Sequence, residues 1–167
     1  MLEKYKSLLF QNLGGIIIAL DNEGCVTYAN QEALDLLGYT VEEMIGCNWF
    51  DLISGEGKNS QLHELYQSII SGKTELFSRE STRDIVAKNG RVISVAWRNN
   101  LVRDENGDVV GIVSFGHDVT EEKLARMRLS LHHEIAQIIM MDRPFAEAAQ
   151  MFLQAIGLQL GWALGEK

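Results

Sequence analysis

The side chains able to do covalent or metal chemistry are few and scattered. The chain carries two cysteines, Cys25 and Cys47, and four histidines, His63, His117, His132 and His133. The cysteines make no CxxC pair, and no set of His and Cys has the spacing of a zinc site. No glycine-rich phosphate loop is present, so nucleotide chemistry has no cradle. The one residue pattern with chemical promise binds rather than reacts. In the stretch Val92–Leu101, alternation puts Ile93, Val95, Trp97, Asn99 and Leu101 on one side. Asn99 thus interrupts an apolar stripe and, if buried, needs a hydrogen-bond partner. A ligand, a backbone group or a water can supply it, and the bland outcome is a partner within the protein. Arg79 and Ser114 are candidate helpers, and Trp49, Phe50, Tyr66, Phe77 and Phe115 candidate walls of a pocket around Asn99 and Trp97. A set of aromatics is also what an ordinary core contains.

The elements that must position these residues are announced by two Asn-Gly pairs, in Lys88-Asn89-Gly90-Arg91 and Glu105-Asn106-Gly107-Asp108. Asn and Gly both accept positive φ, which suits the two-residue turn whose twist matches paired strands. Two such turns predict a three-stranded antiparallel meander over residues 76–117. Upstream, Ile16–Leu20 reads as a buried strand, Asp21-Asn22-Glu23-Gly24 as its turn and Cys25–Ala29 as the returning strand. Asn30 caps a helix that stops at Gly38, and Thr40-Val41-Glu42-Glu43 is a capping box opening a second. Asn48 to Ile53 reads as one more helical turn. Leu62, Leu65, Tyr66, Ile69 and Ile70 recur at helical spacing up to Gly72. Before the first strand, Leu2, Tyr5, Leu8, Leu9 and Leu13 predict a short amphipathic helix over residues 1–13.

A chain of 167 residues, 46% hydrophobic, suits one domain with an appendage. Its net charge of −8 excludes a basic stripe for nucleic acid. The longest strongly apolar run, Ile16–Leu20, falls far short of the roughly 20 residues of a membrane span, and no secretory signal precedes it. Unpaired cysteines fit a reducing compartment. A cytoplasmic protein without direct membrane insertion is expected.

The C-terminal segment has a different character. Asp118 with Glu121 three residues on predicts a capped helix leaving the last strand. Leu124, Met127, Leu131, Ile138 and Met141 then follow a heptad, with Glu134 at one inward slot, as in a short parallel coiled coil. The competing reading packs this helix back on its own domain. Pro144 breaks it, and Phe145, Ala148, Met151, Phe152, Ile156 and Leu160 mark a second amphipathic helix.

Taken together, the runs Ile17-x-x-Leu20-Asp21-x-x-Gly24-x-Val26-x-Tyr28-x-Asn30 and Leu36-Leu37-Gly38-Tyr39-Thr40-x-Glu42-Glu43-x-Ile45-Gly46-x-Asn48-Trp49-Phe50-Asp51 resemble a PAS sensory domain. Leu101-x-Arg103-Asp104-x-x-Gly107-x-x-x-Gly111-Ile112 and the Asp-x-Thr of Asp118 and Thr120 complete the likeness over residues 1–123. The resemblance implies an α+β fold: a five-stranded antiparallel sheet in the order 2-1-5-4-3 with helices on one face. It also implies a sensor of ligand, light or redox state that dimerises and passes a twist or tilt into a C-terminal helix, with Asp118 and Thr120 at the junction. Residues 142–167, with Leu158-Gln159-Leu160-Gly161-Trp162, look like the opening of a GAF domain. The expected organisation is an N-terminal helix (1–13), a PAS domain (14–120), a signalling helix (121–141) and the start of a truncated GAF domain (142–167). The expected parent is a multidomain bacterial sensor whose output domain, a histidine kinase or cyclic-di-GMP enzyme, is missing from the chain.

The family's cofactor chemistries can be set against single residues. Light-sensing flavin members carry a thiol in Gly-x-Asn-Cys; this chain reads Gly46-Cys47-Asn48-Trp49, with Trp49 in the thiol's place. His63 lies about one turn early for the family's haem ligand. His132-His133-Glu134-Ile135 resembles the start of a histidine-kinase phosphoacceptor box, but Ala136, Gln137 and Ile138 depart from it. The reading is a non-enzymatic PAS module with no metal and no prosthetic group, leaving open a non-covalent flavin or another small organic ligand. Its partners are a second copy, through Leu8, Leu9, Leu124, Met127 and Leu131, and an output domain in cis. The alternatives are a ligand-free dimerisation module and a phosphoacceptor at His133.

Overall fold

The computed structural model describes residues 14–53 and 60–140. The expected helix over 1–13, with Leu8 and Leu9, and the expected GAF-like stretch over 142–167 lie outside these residues. The chain divides into two compact units, 1–119 and 120–167.

The first unit is a five-stranded antiparallel sheet in the order β2-β1-β5-β4-β3. Its strands are β1 (Ile16–Asp21), β2 (Val26–Ala29), β3 (Glu80–Val86), β4 (Val92–Arg103) and β5 (Val109–Asp118). Between β2 and β3 run α1 (Gln31–Leu37), α2 (Val41–Met44), α3 (Trp49–Ile53) and α4 (Ser60–Ile70), then a 3-10 turn at Thr74–Leu76. That turn takes Leu76, the first position of the expected meander, whose first strand starts at Glu80.

The three hairpin loops share one geometry. In Asp21–Cys25, Ala87–Arg91 and Asp104–Asp108, the first residue's N–H donates to the last residue's carbonyl, at 2.9–3.0 Å. The N–H of the intervening glycine (Gly24, Gly90 or Gly107) donates back to the first residue's carbonyl, at 2.8–3.1 Å. Each of these glycines is left-handed, with φ of 84°, 82° and 89°. These are three-residue loops closed by a left-handed residue, one longer than the Asn-Gly pairs predict. In two of the three loops the extra length has a chemical cause. Asp21 Oδ1 accepts from the N–H groups of Glu23 and Cys25, and Asp104 Oδ1 from those of Asn106 and Asp108, each at 2.9 Å. An Asx side chain that bonds its own following backbone stabilises a wider turn.

One face of the sheet forms the core. Ile16, Ile18, Leu20, Val26, Ile85, Ile93, Val95 and Ile112 pack with Ala33, Leu34, Leu37 and Met44 of the helices. Asn30 binds the two layers together. Its Oδ1 accepts from Ile17 N–H (2.9 Å) and Ala33 N–H (3.1 Å), while its Nδ2 donates to the Gly15 carbonyl (2.8 Å). Gly111 sets the spacing of β1 and β5: a Cβ there would meet the Leu20 carbonyl oxygen at 2.2 Å.

In the second unit, α5 spans Thr120–Met140. It begins two residues beyond Asp118, which instead closes β5 opposite Val95. At that point the Val119 N–H donates to the Ser94 carbonyl at 2.9 Å, so the backbone itself ties the end of β5 to β4. Along α5, Met127, Leu131, Glu134 and Ile135 are half-buried and Leu124 and Leu129 exposed. His132 and His133 are exposed, with Gln137 Nε2 3.0 Å from His133 Nε2.

Candidate functional site

A cavity of about 130 Å³ lies between the inner face of the sheet and helices α3 and α4. Its position follows from how α3 is anchored. Trp49 N–H donates to the Gly24 carbonyl (3.0 Å), and Val26 N–H to the Cys47 carbonyl (3.0 Å), pinning residues 47–49 on the β1–β2 hairpin. Asn48 adds a bond from its Nδ2 to the Glu23 carbonyl (3.3 Å) and accepts from Phe50 N–H (3.0 Å), starting α3. Gly24 is needed twice here. Besides its left-handed φ, a Cβ at that position would meet the Phe50 ring at 2.8 Å.

Tyr66 of α4 fixes the opposite wall. Its hydroxyl donates to the Asp21 carbonyl at the end of β1. Burial pushes the Tyr66 phenol far above its ordinary value, with the nearby Asp21 and Cys25 charges adding to the shift. It therefore stays a neutral donor at every physiological pH. Phe50 leans on Tyr66 (ring centroids 5.2 Å apart) and stacks nearly parallel on His63 (5.1 Å, 12°). Trp49 and Trp97, both lining the cavity, meet edge to face at 6.0 Å and 88°.

Trp49, Phe50, Tyr66, Phe77, Trp97 and Asn99 all line this cavity. Phe115 does not. It pairs with Ile17 and Arg98 across the strands, while its neighbour Ser114 points into the cavity. Because successive side chains of a strand face opposite sides, only one of the two can line it. Arg79 contributes its carbonyl, which accepts from Asn99 N–H at 2.7 Å, but not its side chain. The polar partner that Asn99 requires comes from the protein: Nδ2 donates to the Ser78 carbonyl (3.1 Å), and Oδ1 accepts from the Ser114 hydroxyl (2.8 Å). One amide proton and one carbonyl lone pair of Asn99 are unused among the described residues.

Ser78, Ser81 and Arg83 also line the cavity and escaped the sequence reading. Period-two spacing from Ile85 would have found Ser81 and Arg83. His63 is not a lining residue; its ring lies against Phe50 and its Nε2 is 3.3 Å from Gln67 Nε2. Cys47 is exposed and Cys25 half-buried; burial, then the charges of Asp21 and Glu23, raise the Cys25 thiol above its ordinary value. A raised thiol is a poorer nucleophile at neutral pH. Among the described residues no group of three or more His, Cys, Asp or Glu could hold a metal ion, and no helix is long and apolar enough to cross a membrane.

The fold finds its counterpart among known proteins. Residues 10–124 match the family described as PAS fold, and the chain belongs to that family. It is similar to the sensor histidine kinase TmoS of Ectopseudomonas mendocina, 27% identical over 165 residues, which cover 95% of this chain and 16% of that protein. Among solved structures, it resembles the PAS domain of Bordetella pertussis BvgS: 21% identity, TM-score 0.58, covering 79% of this chain and 97% of that one. It also resembles the PAS domain of the Cronobacter turicensis quorum-sensing receptor RpfR in complex with C12:0: 22% identity, TM-score 0.53, covering 65% and 97%.

Proposed function

We propose that this chain is the sensory module of a larger cytoplasmic signal-transduction protein. A small organic molecule in the cavity biases the arrangement of β4 and β5 and, through Asp118 and Thr120, the state of α5. The observation that carries the reading is the cavity itself, lined largely by apolar side chains and including Asn99 of β4 and Ser114 of β5, with Ser78, which precedes β3, bonded to Asn99. Apolar walls with a few convergent polar groups are the usual make-up of a small-molecule site. The similarity to a sensor histidine kinase supports a kinase as the output, and the complex of RpfR with C12:0 supports an organic occupant. A ligand can move such a two-state element only by binding its states differently.

The test uses the full-length parent. Ser114→Phe fills the cavity, and the output activity should become independent of added ligand, locked high or low. Output that still responds to ligand would overturn the reading. The module itself performs no catalysis and carries no prosthetic group, so the purified protein should be colourless; visible absorption of the haem or flavin type would contradict this. A second reading, a dimerisation module without ligand, is favoured by one observation: Asn99 already has protein partners for both ends of its amide. Native mass spectrometry showing an empty protein, with Ser114→Phe leaving output unchanged, would select it. A phosphoacceptor role for the exposed His133 would show as loss of output in His133→Gln.

A further inference from the structure

We infer that the cavity selects small organic acids: an apolar, preferably flat body with one carboxylate, the carboxylate held by Arg83. This rests on the sensing reading above and names its ligand class. Among the described residues, Arg83 is the one charged side chain lining the cavity, in a chain whose net charge is −8. Everything else there is apolar, aromatic, hydroxyl or amide.

The register explains why this cation is available. On β3, Ser81, Arg83 and Ile85 face the cavity, whereas the flanking acids point to the other side. There Glu80 pairs with Arg98 at 2.8 Å, and Asp84 accepts from the Ser94 hydroxyl. The two nearest carboxylates in sequence are thus turned away from Arg83 and occupied. Among the described residues the Arg83 guanidinium makes no ion pair or hydrogen bond, and neither does the Ser81 hydroxyl beside it. Arg83 lines the cavity and is at the same time exposed to solvent. A guanidinium fork binds a carboxylate through two parallel hydrogen bonds, a geometry that neutral isosteres cannot use. Inside, the edge-to-face Trp49 and Trp97, with Phe50 and Phe77, leave a space whose walls suit a ring.

The probes are phenylacetate and its neutral isostere phenylacetamide, titrated into the full chain with tryptophan fluorescence and calorimetry as readouts. Phenylacetate should bind about tenfold tighter than the amide, as a charge-assisted hydrogen bond of about 1.5 kcal/mol provides. Arg83→Gln should bring the acid down to the amide's affinity and leave the amide unchanged, with an unaltered melting curve because the side chain is exposed. Arg98→Gln, on the opposite face, should preserve the preference, and added salt should weaken the acid alone. Equal binding of acid and amide, or equal loss in Arg98→Gln and Arg83→Gln, overturns the acid class while the cavity remains a ligand site. If neither probe binds and Ser114→Phe leaves ligand response in the parent intact, the sensing reading falls together with this one.

Discussion

Asn30 shows how much one side chain can organise. It is 4% exposed, and its three side-chain hydrogen bonds serve β1, the entry to β1 and the first turn of α1 at once. Asn30→Ala would strand two N–H groups and one carbonyl, and should cost about 3 kcal/mol in a denaturant melt, since each unsatisfied buried group costs about 1–3 kcal/mol. A loss below about 1 kcal/mol would mean that water replaces the amide. At the surface, Glu43 is bonded by the Lys88 ammonium and by Thr40 N–H, which hold its carboxyl below the usual carboxylate value, Lys88 first. A lowered folded-state pKa gives stability that is present above the unfolded value and lost as pH falls through the folded one. Lys88→Met should therefore move the Glu43 titration, followed by carboxyl NMR, back up toward its ordinary position and soften the acid limb of stability. Asn30 was legible as a cap from its place before an apolar period, and Asn99 from its place inside an apolar stripe. Arg83 was overlooked because β3 opens Glu-Ser-Thr-Arg-Asp, so its phase comes only from counting back in steps of two from Ile85. Phe115 was misplaced by one residue, since aromatic character says nothing of which face a strand residue takes.

Elements were more legible than single contacts, because turns and periods are local while packing is not. The Asn-Gly pairs located both meander hairpins correctly. What they could not give was loop length: in Asp104–Asp108 the Asx bonds of Asp104 set it, and the Asp-x-x-Gly pattern shared with Asp21–Gly24 was the available signal, whereas Ala87–Arg91 has the same loop without that pattern. Two glycines that look alike in sequence should behave differently. A Cβ at Gly90 would meet nothing within 4 Å, so Gly90→Ala carries only the cost of a left-handed φ, about 1 kcal/mol. Gly111 carries no such φ, yet its Cβ would collide with the Leu20 carbonyl at 2.2 Å. Gly111→Ala must therefore part β1 from β5, and should be the more destabilising of the two by a wide margin, about 3 kcal/mol or more. Equal chemical-denaturation midpoints for the two variants would show that the sheet yields there without penalty.

At the scale of the molecule, α5 presents apolar side chains along its described length. Leu124 is 39% exposed and Leu129 71%, and Leu124, Met127 and Leu131 recur at the spacing of a helix seam. Apolar residues at that spacing on a helix mark an interaction face when their number exceeds the scatter normal for a surface. A second copy of the same helix is the simplest cover, since a twofold pair buries the same stripe from both sides. Glu134, half-buried in the same stripe, would then sit at a polar layer, a device that sets register at some cost in stability. The expected outcome is a dimer by light scattering that becomes monomeric when Leu124, Met127 and Leu131 are each replaced by Glu. The melting curve of the sheet unit should stay close to that of the parent. Leu129→Glu, off the seam, serves as the control and should leave the dimer intact. A dimer that survives the triple change would put the interface elsewhere, and loss of the dimer in Leu129→Glu alone would move the seam around the helix by about two residues, or roughly 160°.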